Sequence, residues 1–154
     1  MTALGGFSPG DVLTAADLNA IGTWTAFTPT FTTGLTVGNG TVTGYYTTIN
    51  KIAFVTISLE FGSTTAITGD IRVQIPVGAP TSFDLAAFVQ GNAYDASTAD
   101  YFKLMGRAYG VNEFRLRCMG TSGSAASALA LSATVPFTWG TGDRLDFGSY
   151  YRIS

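Results

Sequence analysis

The chain has 154 residues, enough for one well-buried core and too few for two ordinary domains. Eight Lys and Arg stand against ten Asp and Glu, a net charge of -2, with no basic run to follow a phosphate backbone or an anionic bilayer, so neither nucleic acid nor membrane is an expected partner. There is no histidine, which removes Ser-His-Asp and Cys-His pairs and the usual imidazole ligands of zinc.

In chain order, the first signal is a helix start within "FSPGDVLTAADLNAIGTW", residues 7–24. Thr14 followed by Asp17 fits a capping box, and Leu13 with Leu18 fits a hydrophobic staple. Gly22 stops the segment after about eight residues, too short a helix to hold by itself, so it must dock on a surface. No Lys or Arg precedes Lys51 and no apolar run nears the roughly 18 residues of a membrane span, so a soluble product made in the cytoplasm is expected.

From Trp24 onward the period changes to two. "GNGTVTG", residues 38–44, reads as a hairpin turn; its spacing does not fit a phosphate-binding glycine loop, and strands follow it. "AFVTISLEF", residues 53–61, puts Ala53, Val55, Ile57, Leu59 and Phe61 on one face and Phe54, Thr56, Ser58 and Glu60 on the other. "IRVQIPV" repeats the alternation with Ile71, Val73, Ile75 and Val77 inward and Pro76 at an edge or strand end. "EFRLRCM" alternates Phe114, Leu116 and Cys118 against Arg115 and Arg117, and "LALSATVPF", residues 129–137, alternates again. Turns are expected at Asn39-Gly40, Asn50-Lys51, Thr68-Gly69-Asp70 and residues 140–143, and a mobile loop tip at "GTSGSAAS", residues 120–127. The pattern predicts an all-β protein: an antiparallel β-sandwich or jelly-roll-like domain over residues 24–154, preceded by a short helical arm over residues 1–23.

Reagents for chemistry are scarce. A glycosidase-like pair of carboxylates is arithmetically possible, but Asp70 and Asp143 fall in turns, where such side chains accept local backbone amides. "NAYDASTAD", residues 92–100, gathers Asn92, Asp95, Ser97 and Asp100 and reads as a polar loop before it reads as a calcium site, so no metal or cofactor is expected. Arg107, Arg115 and Arg117 form a local cationic cluster, read as a solvated strand face. Cys118 is expected to be a buried, inert thiol, and the tyrosines with Trp24 and Trp139 serve strand packing before sugar stacking. Charged residues are 12% of the chain, about half the usual fraction of roughly 25%. Either neighbouring subunits cover much of the surface, or Thr and Ser keep it soluble without charge.

The opening phrase resembles the N-terminal segment of small structural and minor tail proteins of tailed bacteriophages, in which F-x-x-G-x-x-L-T-A-A-x-L-N precedes a β domain. "GTVTGYYTTINKIAFVTISLEFGS" is similar to their following strand pair, and "VPFTWGTGDRLDFGSYYRI" to their closing P-x-T-W-x-x-G-D-x-L-x-F-x-x-x-Y pattern. Together these cover both ends and the middle third of the chain. The resemblance implies a non-enzymatic virion component, commonly a homotrimer, bound to capsid or tail proteins and displaying a β-sandwich on the particle. Phe7, Leu13, Leu18 and Ile21 would then form the apolar anchor. The chain has no coiled-coil heptads, collagen repeat or β-helical repeat for a shaft, which suits a capsid decoration protein, a head fibre or a short tail-tip piece. The alternative is a carbohydrate-binding module that reads host surface glycans through exposed aromatic rings.

Overall fold

The computed structural model describes residues 12, 14–78, 88–110, 112–122 and 125–153. Among these residues one helix, α1 (Ala15–Ala20), precedes ten strands: β1 (Thr25–Phe27), β2 (Phe31–Thr36), β3 (Thr41–Ile49), β4 (Ile52–Glu60), β5 (Ala66–Gln74), β6 (Phe88–Asp95), β7 (Asp100–Tyr109), β8 (Glu113–Ser122), β9 (Ala125–Ala130) and β10 (Arg144–Arg152). The protein is all-β, and every strand pair is antiparallel. The strands form one sheet in the order β1-β3-β4-β10-β6-β7-β8-β5-β2, with β9 branching from β8.

Half-burial of each strand explains why the alternation was readable. In β4 the inward Ala53, Val55, Ile57 and Leu59 are all at most 3% exposed, and Phe61 beyond the strand end is equally buried. Burying each of the Val, Ile, Leu and Phe side chains among them contributes about 1.5–3 kcal/mol. The sheet must curl to bury this face. β1 and β2 are joined only by residues 28–30, yet they sit at opposite edges, so the sheet rolls until its two ends are spanned by that short link. Its two halves then pack on one another. Tyr151 on β10 meets Phe114 on β8 edge-on, with ring centroids 5.5 Å apart, and the Tyr151 hydroxyl donates to the Val77 carbonyl at 2.7 Å. The result is one apolar core between the layers.

Several local expectations change. The turn at Asn39-Gly40 forms, with Gly40 N–H donating to Val37 O at 2.9 Å, but it is not a hairpin, because β2 pairs with β5 and β3 with β4. Asn39 instead ties this corner to the next one: its side-chain oxygen accepts from Thr64 N–H at 2.9 Å, and the Thr64 hydroxyl accepts from Asn39 N–H at 2.9 Å. Thr68, Gly69 and Asp70 lie inside β5 rather than in a turn between strands. The register runs from Leu35↔Ile67 to Thr33↔Arg72, so Gly34 alone faces residues 68–71. Gly34 has φ +76°, and a Cβ there would collide with the Asp70 carbonyl. The same Gly-Asp chemistry that makes turns also makes bulges.

Residues 120–122 and 125–127 do not form a loop: β8 and β9 pair through them as a ladder out to Ser122↔Ala125, and the expected tip at residues 123 and 124 lies outside the described residues. β9 ends at Ala130, earlier than the alternation of residues 129–137 predicts. Ser132 and Val135 pair with each other, and Pro136 has no N–H to continue a ladder. Phe137 and Trp139 then fold over the core, Trp139 stacking on Phe61 with centroids 4.8 Å apart.

Candidate functional surfaces

The arm begins with the expected capping box. Thr14 N–H donates to Asp17 Oδ2 at 3.0 Å, and Asp17 N–H donates to Thr14 Oγ1 at 3.2 Å. The Thr14 hydroxyl bond, at 2.6 Å, is the main cause of an Asp17 carboxyl held below its usual pKa. α1 is six residues long, shorter than expected, and Gly22 with φ +75° ends it. Ala15, Ala16, Asn19, Ala20 and Ile21 are exposed. Of the proposed anchor, Phe7 and Leu13 lie outside the described residues, as does the Leu18 side chain. Ile21 is 46% exposed, and Gly22 beside it passes close to Ile49.

That passage leads onto the outer face of β1, β3, β4 and β10. Pairing aligns Tyr45↔Thr56, Ile49↔Ile52, Phe54↔Tyr150 and Thr56↔Gly148, so these outward positions form one continuous surface. Tyr45, Ile49, Ile52, Phe54 and Tyr150 on it, with Trp24 just before β1, are between 36% and 49% exposed. Gly148 has no side chain, and a shallow groove of about 430 Å³ opens above it, lined by Thr43, Tyr45, Thr56, Ser58, Gln90 and Asp146. Ser58 Oγ donates to Asp146 Oδ1 at its floor, at 2.5 Å. A second depression of about 270 Å³ adjoins it between Trp24, Phe54, Gln90 and Tyr150. Alternation alone placed Phe54 outward. The gathering of the other rings around it depends on strand order, which no local pattern carries.

The opposite half of the outer face, on β5, β8 and β7, holds a lattice of ion pairs. Arg72, Arg115 and Arg107 are direct cross-strand neighbours in one row. Asp70, carried by the bend in β5, reaches Arg115 Nε at 2.8 Å, Arg72 Nε at 3.5 Å and an Arg117 guanidinium nitrogen at 3.5 Å. Arg72 also lies 3.9 Å from Glu113 and stacks over the Tyr109 ring at 4.0 Å. Partial burial pushes the Asp70 pKa up, but the Arg115 hydrogen bond and the charges of Arg115, Arg117 and Arg72 outweigh it and leave the carboxyl below the usual range. Thus Asp70 is an ion-pair centre rather than a turn-capping side chain. Arg115 and Arg117 are part of this lattice, whereas Arg107 is more exposed.

The remaining candidates resolve into structural roles. Asp143 is 3% exposed and accepts from Gly140 N–H at 2.6 Å and Ala96 N–H at 2.9 Å, as a turn carboxylate should. Asp95 accepts from Ser97 N–H and Oγ–H at 2.9 and 2.7 Å. Asn92, three residues earlier, sits on the opposite side of β6 from Asp95, so the 92–100 segment does not converge on one point. Among the described residues no group of three or more acidic or cysteine side chains is placed to hold a metal ion. Cys118 is 1% exposed, and burial pushes its thiol pKa up, as suits an inert core position. No protein-family model matches this chain, and comparison with curated proteins and with solved structures gave no match.

Proposed function

We propose that this chain is a non-enzymatic structural component of a bacteriophage virion, a homotrimer held to capsid or tail by its N-terminal arm and displaying the β domain on the surface. The observation that carries the reading is the arm's opening phrase, residues 7–21, whose Thr14–Asp17 box forms while the helix it starts leaves Ala15, Ala16, Asn19 and Ala20 exposed. A six-residue helix does not hold in water through its own hydrogen bonds. An exposed one that begins with a full cap suits a segment that is completed by a second surface. The carboxylates read as candidate catalysts serve turns or arginines, which fits a structural part. The test is incorporation: the full chain should co-sediment with particles, and a chain lacking residues 1–22 should stay folded and remain in the supernatant. Equal incorporation of both would refute the anchor.

One feature favours the carbohydrate reading, the groove over Gly148, where Tyr45 stands beside the hydrogen-bonding side chains of Ser58, Gln90 and Asp146. Glycan-array binding that disappears in Tyr45→Ala would support it. Array silence from a folded protein that still incorporates into particles would count against it.

A further inference from the structure

We propose that the outer face of β1, β3, β4 and β10, centred on the exposed apolar side chains of Phe54 and Tyr150, is covered by a second copy of this chain. The inference deepens the assembly part of the proposed function and is independent of virion attachment.

Three observations carry it. The first is concentration: among the described residues ten large apolar side chains stay exposed, and all but Val12, Tyr101 and Met119 belong to this face or to the chain entering it. Those seven are Ile21, Trp24, Tyr45, Ile49, Ile52, Phe54 and Tyr150. Seven such side chains near half exposure present on the order of 600 Å² of apolar surface, at the top of the range for a monomer's largest patch and most of the roughly 800 Å² that each partner buries in a standard interface.

The second is the distribution of charge. β3 carries no charged residue, and the outward row of β4 carries only Glu60, at its far end. Asp70 and Glu113 with Arg72, Arg115 and Arg117 lie on the other half of the sheet; the charges that β10 carries outward here, Arg144, Asp146 and Arg152, are of mixed sign, with Arg144 opposite Glu60 and Asp146 bonded by Ser58. In a symmetric assembly, side chains near a rotation axis face their own counterparts, so an ionised group there repels its copy, whereas neutral rings and methyl groups pack on theirs. With both signs present, the face offers no single-signed patch to a partner of opposite charge.

The third is side-chain type. Ile21, Ile49 and Ile52 flank the aromatic rings, and branched aliphatic groups have no flat face on which a sugar ring stacks. They pack well against other side chains. A saccharide would use the groove over Gly148 and leave the isoleucines in water; a second copy covers both. Those two occupants exclude each other.

The experiment is sedimentation velocity of the full chain at micromolar concentration, comparing the wild type with Phe54→Arg, Ile52→Arg and, on the charged half, Arg107→Glu. The wild type and Arg107→Glu should sediment as one oligomer. The two arginine variants, with unchanged far-ultraviolet circular dichroism, should run as monomers, their association weakened by about a hundredfold or more. If either arginine variant misfolds, Ile52→Cys replaces it: mild oxidation should cross-link pairs of chains through that position, since Cys118 is buried. A monomeric wild type would overturn both the assembly and this interface. An oligomer untouched by the folded variants, or an oxidised Ile52→Cys oligomer without cross-links, would overturn this interface alone. Glycan binding by the intact oligomer that Tyr45→Ala abolishes would also overturn it, because the face would then be open.

Discussion

Replacing Asp70 with Asn keeps the shape of the side chain and removes the charge at the centre of the arginine lattice. The carboxylate meets Arg115 Nε at 2.8 Å and Arg72 and Arg117 at 3.5 Å each, with its own side chain 26% exposed. A hydrogen bond to a charged group contributes about 1.5–3 kcal/mol when shielded, and an exposed ion pair about 0–1 kcal/mol. The substituted amide would still accept one bond from Arg115, so the net loss at neutral pH should be about 1–2 kcal/mol, including the repulsion left between Arg72 and Arg115. For a chain of this size that corresponds to a fall in Tm of roughly 3–6 °C. The pH dependence follows from the direction of the shift. The folded-state pKa of Asp70 lies below its unfolded value, so its contribution is complete above about pH 4 and is lost as the pH falls through the folded value. Calorimetry of both proteins at pH 7 and near pH 2 should therefore show a gap that closes in acid and narrows in high salt. An Asp70→Asn protein as stable as the wild type at pH 7, or a deficit that persists undiminished in acid, would refute the clamp.

Tyr151→Phe removes the bond to the Val77 carbonyl from a side chain 1% exposed, and should cost about 1–2 kcal/mol in urea denaturation without altering assembly. Gly34→Ala, at φ +76° against the Asp70 carbonyl, should cost more than about 1 kcal/mol, read by the same denaturation curves. Thr14→Ala removes the cap and should reduce incorporation into particles while the Tm of the β domain stays within about 1 °C, because α1 contributes none of the described core residues.

What was legible in the chain was whatever one strand decides alone. Residues 53–61 announce their buried face because half-burial imposes a period of two, and Thr14 with Asp17 announces a helix start because both partners lie within one turn. Cys118 could be placed inside from Phe114 and Leu116 beside it. What failed needed the third dimension. Gly69-Asp70 is equally good turn and bulge chemistry, and only the pairing of β5 with both β2 and β8 decides between them. The small residues of the 120–127 stretch look like a loop tip until Met119↔Ala128 and Gly120↔Ser127 pair as a ladder. Asn39-Gly40 looks like a hairpin because nothing near it reveals that β2 and β3 belong to different ends of the sheet. The candidate surfaces share this origin: Arg72 joins Arg115 through the β5–β8 pairing, and Tyr45, Phe54 and Tyr150 meet because β10 inserts beside β4.

That this chain is a part of a virion is tested most directly by quantitative mass spectrometry of purified particles from its native host. Peptides of this chain should appear at a fixed copy number per particle that is a multiple of three, with hundreds of copies marking a capsid decoration and a handful marking a tail tip. Particles that are infectious and contain none of it would contradict the proposed role.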